Sequence, residues 1–109
     1  MANLAEVTTQ NFESEVLQSQ QPVMVDFMAQ WCPPCRMLAP VLEKLAARYE
    51  GRVKIVQMDT DAHPEVAARY GVQKIPNLTF IKDGEVVDQA IGYVSENELV
   101  QKLDAALAS

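Results

Sequence analysis

The hydrophobic residues of this chain predict strands that alternate with helices. The segment "PVMVDFMA", residues 22–29, is apolar at both parities, which indicates a central strand buried on both faces. "RVKIVQMD" predicts another strand, and "LAEV" near the N-terminus predicts a short edge strand. "LTFIKDGEVVDQAIG" predicts two strands joined at Asp83-Gly84, a dipeptide typical of tight hairpins.

Segments in which apolar residues recur at helical spacing lie between these strands. After Pro34, apolar side chains recur at Leu38, Val41, Leu42, Leu45 and Tyr49, which predicts a helix with a kink at Pro40. Three more segments are typical of helices: "TTQNFESEVLQS", "HPEVAARYG" and "SENELVQKLDAAL". Ser95 and Glu98 form a capping box at the start of the last one.

The predicted order is therefore β-α-β-α-β-α-β-β-α. Strands that alternate with helices favour parallel pairing with crossover connections, and the hairpin adds an antiparallel edge. We predict one domain, residues 1–109, of the α/β class. Its architecture is a three-layer α/β/α sandwich, with a mixed five-stranded sheet covered by helices on both faces.

Composition and charge narrow the classes of function. The chain has 109 residues, of which 49% are hydrophobic and 22% are charged, as in ordinary globular domains. A formal net charge of −6 is repelled by phosphate backbones and anionic lipid, which argues against binding nucleic acid or a membrane surface. The N-terminal sequence shows no signal-peptide pattern, and no apolar run approaches the roughly 20 residues of a membrane helix. We expect a cytoplasmic protein.

Both cysteines lie in "QWCPPCRM", residues 30–37, just after the predicted central strand. Such a pair could belong to a metal site, form a structural disulfide or act as a redox couple. A structural zinc site needs four ligands, and the only histidine, His63, opens a separate helix, where we expect it to be exposed and inert. A structural disulfide over so short a loop restrains the unfolded chain little.

The redox interpretation fits the position of the pair best. A thiolate at a helix N-terminus faces free N–H groups and the positive end of the helix dipole, so Cys32 is the expected nucleophile. Cys35 lies one turn further in, where it should be more buried and should resolve a mixed disulfide. Asp26 interrupts the apolar strand, and a buried carboxylate there is costly unless it is protonated or partnered. The alternative is that the Asp26 side chain faces outward from the strand, toward solvent.

Several segments together resemble the thioredoxin family. "VDFMAQWCPPC" is similar to that family's strand and active-site segment, "KIPNLTFIKDGEVV" to its Ile-Pro turn and hairpin, and Gly92 to a family glycine. The resemblance extends from about Leu4 to Leu107 and implies a thioredoxin-like fold. It also implies a protein-disulfide reductase in which Asp26 accepts a proton from Cys35.

The same resemblance implies a substrate-binding surface around the cysteines. Pro76 would be a cis-proline packed against the disulfide, and Ile75 would offer backbone groups to an extended substrate. Gly92 would leave room for that substrate. The remaining residues implied here flank or separate the cysteines: Trp31, Pro33 and Pro34. The methionines at 24, 37 and 58 are expected in the core.

The resemblance also implies the partners. No bound cofactor is needed, because a thioredoxin reductase would restore the dithiol with electrons from NADPH. The substrates would be proteins that contain disulfides, and the chain would act as a monomer.

Three residues depart from the family pattern. Pro33 stands where the family usually has glycine, Gln57 where it usually has a lysine near the buried aspartate, and Met28 where an aromatic side chain is common. Two alternatives remain within the fold: a disulfide oxidase or isomerase, and a thioredoxin-like protein of cytochrome maturation. A third is a non-catalytic binding module.

Overall fold

The computed structural model describes residues 4–109. Its sheet has five strands: β1 Ala5–Glu6, β2 Val23–Met28, β3 Lys54–Asp59, β4 Asn77–Lys82 and β5 Glu85–Ile91. The helical elements are a short π-helix Glu13–Leu17, α1 Pro33–Arg48, α2 Pro64–Arg69 and α3 Glu96–Ala108. This order of elements matches the predicted one, except that the first helix is reduced to a single π-helical turn.

The sheet is mixed, as predicted. Its strand order is β1-β3-β2-β4-β5. Strands β1, β2 and β3 run parallel to one another, whereas β4 is antiparallel to both β2 and β5. All six residues of β2 are buried, because this strand is central in the sheet and covered on both faces.

Helical elements cover both faces of the sheet. On one face, Met24 of β2 packs in a cluster with side chains from α1 and α3, among them Leu42 and Leu99. On the other face, Phe27 packs with Phe12 beside the π-helix and with residues of α2. The predicted three-layer α/β/α sandwich is confirmed.

Helix α1 begins between the two cysteines. Pro33 and Pro34 occupy its first turn, where the missing N–H groups cost no helical hydrogen bond. The helix continues through Pro40, whose ring is exposed, while Leu38 and Leu42 on the opposite side are fully buried. Packing of the apolar face therefore holds the helix together across the proline.

The hairpin and the last helix begin as the sequence predicts. Asp83 and Gly84 have φ values of 53° and 80°, the left-handed conformation that a two-residue hairpin turn requires. The Ser95 hydroxyl accepts a hydrogen bond of 3.2 Å from the backbone N–H of Glu98. This cap fixes the start of α3 directly after the segment that carries Gly92.

Candidate active site

Cys32 and Cys35 are joined by a disulfide at the junction of β2 and α1. Their Cα atoms lie 5.2 Å apart. Cys32 is the N-cap residue of α1 with an extended backbone, and the N–H of Cys35 donates to its Sγ at 3.3 Å. Because Pro33 and Pro34 have no N–H, Cys35 supplies the first N–H group of the helix, and that group points at the sulfur of Cys32.

The disulfide is packed, although its flanks are exposed. Cys32 and Cys35 form a buried cluster with Met28 and Ala29, and Ile75 packs against it. Cys32 is 2% exposed and Cys35 3% exposed, so in this oxidised form the two cysteines are equally buried. The reason is that the end of β2 and Ile75 enclose both residues.

A segment distant in sequence closes over the disulfide. The carbonyl oxygen of Ile75 lies 3.9 Å from Cys32 Sγ. The Ile75–Pro76 peptide bond is cis, as the resemblance implied, and Pro76 is buried. The Pro76 carbonyl accepts a hydrogen bond of 2.8 Å from the N–H of Gly92. The Ile75–Pro76 segment thus lies against the cysteine pair, and the Gly92 segment is hydrogen-bonded to it.

Gly92 is needed at this place for its backbone conformation. Its φ value is 86°, in the left-handed region that residues with a side chain rarely adopt. A Cβ atom built on Gly92 would meet nothing within 4 Å, so the space beside it is open. The glycine therefore lets the chain turn back to Pro76 and leaves the adjoining surface uncovered.

Trp31 is held at the rim of the site. Its side chain is 64% exposed, and Nε1 donates a hydrogen bond of 2.8 Å to Oδ2 of Asp61. Asp61 lies in the loop after β3, where the Asp59 carboxylate accepts hydrogen bonds from the N–H groups of Asp61 and Ala62. The sequence pattern does not single out Asp61, because thirty residues separate it from its partner.

Asp26 is buried on the same face of the sheet as the cysteines. It is 2% exposed, and its register partner on β4, Leu78, belongs to the cluster packed against α1. The outward-facing alternative is excluded. Oδ1 of Asp26 has no hydrogen-bond partner among residues 4–109, and desolvation by burial raises the pKa of this carboxyl group from 3.8 to about 7.

Gln57 lies beside Asp26. The two residues are register partners in the parallel pair of β2 and β3, so their side chains project from the same face. Gln57 is 4% exposed. A neutral amide therefore occupies the buried position next to the carboxyl group, and the burial penalty of Asp26 is not offset by a cation there.

Two expectations about single residues are wrong. His63 is half-buried, and its Nδ1 accepts a hydrogen bond of 3.2 Å from the N–H of Thr9. Met37 is 65% exposed, whereas Met24 and Met58 lie in the core as expected. Met37 lies four residues after Pro33, which is also exposed, on the solvent side of α1.

Exposed apolar side chains near Gly92 extend the rim of the site. Ile91 and Tyr93 are 57% and 51% exposed on either side of this glycine. The hydrogen bond from Gly92 to Pro76 brings them toward the disulfide. The sequence pattern did not indicate them, because the polarity of neighbouring residues does not show which apolar side chains another segment will cover.

Features of other classes of site are not found in the part of the chain that the structure describes. Between residues 4 and 109, no group of three or more histidine, cysteine, aspartate or glutamate side chains could hold a metal ion. Within the same residues, no helix is long and apolar enough to cross a membrane.

The geometry defines a class of protein. A disulfide at a helix N-terminus, on the same face of the sheet as a buried carboxyl group with a raised pKa, can cycle between a dithiol and a disulfide. An α/β sandwich with this site at the end of its central strand is typical of thiol–disulfide exchange proteins.

Comparison with known proteins identifies the family. The family model "Thioredoxin" matches residues 3–105. Thioredoxin 1 of Nostoc sp. is 47% identical over 107 residues, which cover 98% of this chain and 100% of the relative. Thioredoxin 1 of Synechococcus elongatus is also 47% identical with the same coverage. A thioredoxin of Chlorobaculum thiosulfatiphilum is 46% identical over 91% of this chain and 92% of its own length.

The chain belongs to the thioredoxin family. It is a thiol–disulfide oxidoreductase of the thioredoxin type, a protein-disulfide reductase whose redox-active pair is Cys32 and Cys35.

Proposed function

We propose that Cys32 is the nucleophile of the reduced protein and Cys35 the resolving thiol. The observation that supports this is the position of Cys32 at the N-cap of α1, where its sulfur accepts the N–H of Cys35. The same interaction stabilises a thiolate at Cys32 more than at Cys35. The exposed neighbours Trp31 and Pro33 place Cys32 directly beneath the surface.

The exchange then proceeds in two steps. The Cys32 thiolate attacks one sulfur of a substrate disulfide, which forms a mixed disulfide and releases the other substrate sulfur as a thiolate that takes up a proton. The Cys35 thiolate attacks Cys32 Sγ, which closes the intramolecular disulfide and releases the second substrate sulfur as a thiolate that takes up a proton. Two electrons pass to the substrate, and the protein ends in the form with the Cys32–Cys35 disulfide.

Asp26 accepts the proton of Cys35 in this proposal, directly or through one water molecule. Its carboxyl group lies on the face of the sheet covered by α1, the helix that carries Cys35. A pKa of about 7 suits a group that must take and return a proton near neutral pH. The unpartnered Oδ1 is free to receive that proton.

The substrate binds, we propose, across the rim formed by Trp31, Ile75 and Gly92, with Pro33 and Pro34 beneath it. Ile75 lies outside β4, which begins at Asn77, so its backbone is not committed to the ladder of the sheet. An extended segment can therefore pair with the Ile75 backbone while its cysteine lies against Cys32. The open space beside Gly92 accommodates the segment.

The proposal extends to the partners that family membership supports. A thioredoxin reductase returns the protein to the dithiol with electrons from NADPH, and no cofactor is bound to the chain itself. The protein works as a monomer in the cytoplasm and transfers electrons to disulfide-containing proteins.

Trapping the mixed disulfide tests the roles of the two cysteines. With a model protein disulfide, Cys35→Ser should accumulate a covalent complex through Cys32, because the resolving step is lost. Cys32→Ser should form none and should lose reductase activity. Mass spectrometry of non-reduced samples identifies the adduct. Adducts that accumulate on Cys35 in Cys32→Ser, with none on Cys32 in Cys35→Ser, would reverse the assignment.

A further inference from the structure

Two exposed cations lie beside the disulfide of this acidic protein. Arg36 follows Cys32 by four residues, so it lies one helical turn further along the same side of α1, and its N–H donates to the Cys32 carbonyl at 3.1 Å. Lys74 is exposed and directly precedes Ile75, whose carbonyl lies 3.9 Å from Cys32 Sγ. Neither cation takes part in the three ion pairs found among residues 4–109.

The cations offset the acidic side chains at this edge, whereas the molecule as a whole is acidic. The chain has a net charge of −6. Two acidic residues lie at the same edge: the Asp59 carboxylate accepts backbone N–H groups of its own loop, and Oδ2 of Asp61 accepts the indole N–H of Trp31. Asp26 is buried, and desolvation raises the pKa of its carboxyl group to about 7, so its charge is partly suppressed near neutral pH. Two exposed cations thus adjoin, in the chain, the residues that contact the disulfide, while the carboxylates at this edge are engaged by N–H groups of the protein.

We propose that Arg36 and Lys74 select, as preferred substrates, protein disulfides whose attacked cysteine is flanked by aspartate or glutamate. The inference rests on the proposed function, because it takes Cys32 as the attacking residue. A carboxylate one or two residues from the substrate cysteine comes within several ångströms of these cations when the sulfurs meet. Each such contact, screened by water, changes the rate by about 3-fold.

The preference acts at contact distance. Beyond a Debye length of about 8 Å in physiological salt, charges are largely screened, so the acidic remainder of the surface does not cancel it. The exchange chemistry is unchanged, since the cations hold the substrate and take no part in the transfer of electrons or protons.

Three matched disulfide peptides test the preference. They differ only in glutamate, glutamine or lysine on both sides of one cysteine, and each carries the same leaving thiol. The reduced protein, Arg36→Gln, Lys74→Gln and the double variant are compared by kcat/KM at about 0.15 M salt. Arg52→Gln is the control, because it makes the same change in net charge just beyond the distant end of α1.

The expected result is a preference for the glutamate peptide that depends on the two cations. The ratio of the glutamate to the glutamine rate should fall about 3-fold in each single variant and about 10-fold in the double variant. Arg52→Gln should retain the ratio of the parent protein. Arg36→Lys and Lys74→Arg should also retain it, and about 0.5 M salt should reduce it toward one.

Two outcomes would overturn the inference while leaving the proposed function intact. One is an unchanged ratio in the double variant; the other is an equal loss of rate for all three peptides, which would indicate an effect on the Cys32 thiolate alone. Failure to reduce any peptide, including the glutamine peptide, would instead contradict the proposed function. Circular dichroism of each variant shows that the fold is retained.

Discussion

The buried carboxyl group of Asp26 couples the stability of the fold to pH. Its pKa is raised from 3.8 to about 7 because burial disfavours the charged form. Between these values the native state binds more protons than the unfolded state, so the contribution of Asp26 to stability falls as the pH rises. It is fully present below pH 4 and is lost as the pH rises through 7.

We therefore expect Asp26→Asn to stabilise the oxidised protein at alkaline pH. The shift of about 3 units corresponds to an upper bound of about 4 kcal/mol in the free energy of unfolding at pH 8.5. The difference between variant and parent should shrink toward zero at pH 4, where both side chains are neutral. Denaturant titrations at several pH values measure it. A difference that is constant with pH would contradict this origin.

Gln57 sets the environment of the same carboxyl group. Since Gln57 and Asp26 are buried register partners, a cation at position 57 would favour the carboxylate. Gln57→Lys should therefore lower the pKa of Asp26, as measured by NMR titration. Gln57→Met, of similar length without charge, is the control and should not lower it. Equal pKa values in the parent and in Gln57→Lys would refute the expectation.

At the scale of elements, the start of α1 performs two tasks. Its unpaired N–H groups and dipole favour a thiolate at Cys32, and its apolar face anchors the helix on the sheet through Leu38 and Leu42. The prolines at 33 and 34 remove two N–H groups from this start. The hydrogen bond from Cys35 to Cys32 Sγ therefore carries much of the interaction between helix and sulfur.

The hydrogen bond at the start of α3 stabilises the helix and takes no part in the thiol–disulfide exchange, so its contribution can be tested by itself. Ser95→Ala should lower the free energy of unfolding by about 1 kcal/mol, because the Glu98 N–H loses its acceptor. Ser95→Asp keeps an acceptor at this position and should retain most of the stability. Thermal or denaturant unfolding measures both. If the alanine and aspartate variants were equally destabilised, the cap would not be the cause.

At the scale of the whole molecule, the site exists only because four parts of the chain converge. The end of β2, the start of α1, the segment at Ile75–Pro76 and the segment at Gly92 meet around one disulfide. Trp31 is the sole tryptophan of the chain and lies next to Cys32. Its emission therefore reports on the assembled site.

Reduction of the disulfide by a dithiol should increase the fluorescence of Trp31, because an adjacent disulfide quenches indole emission. Reoxidation should reverse the change. The double variant Cys32→Ser, Cys35→Ser serves as the control and should not respond to the dithiol. An unresponsive parent protein would argue against a reversible disulfide in contact with this surface.

The order of the elements could be predicted from the sequence because their signals are local. Apolar residues at both parities marked β2, helical spacing marked α1, and Asp83-Gly84 marked the hairpin turn. The helix near Phe12 was overpredicted, since a short amphipathic pattern cannot show that tertiary packing leaves room for one π-helical turn.

The sequence by itself determined the chemistry of the site: two cysteines at a helix start after a buried strand that carries Asp26. Only the tertiary structure decided which residues surround them. The hydrogen bond from Trp31 to Asp61 and the contact of Ile75 with Cys32 join residues far apart in the chain, and the hydrogen bond from Gly92 to Pro76 joins two further segments. The spacing of apolar residues reflects the side-chain period of a helix or strand, and it can therefore be read from the sequence. Contacts between segments depend on how the elements pack.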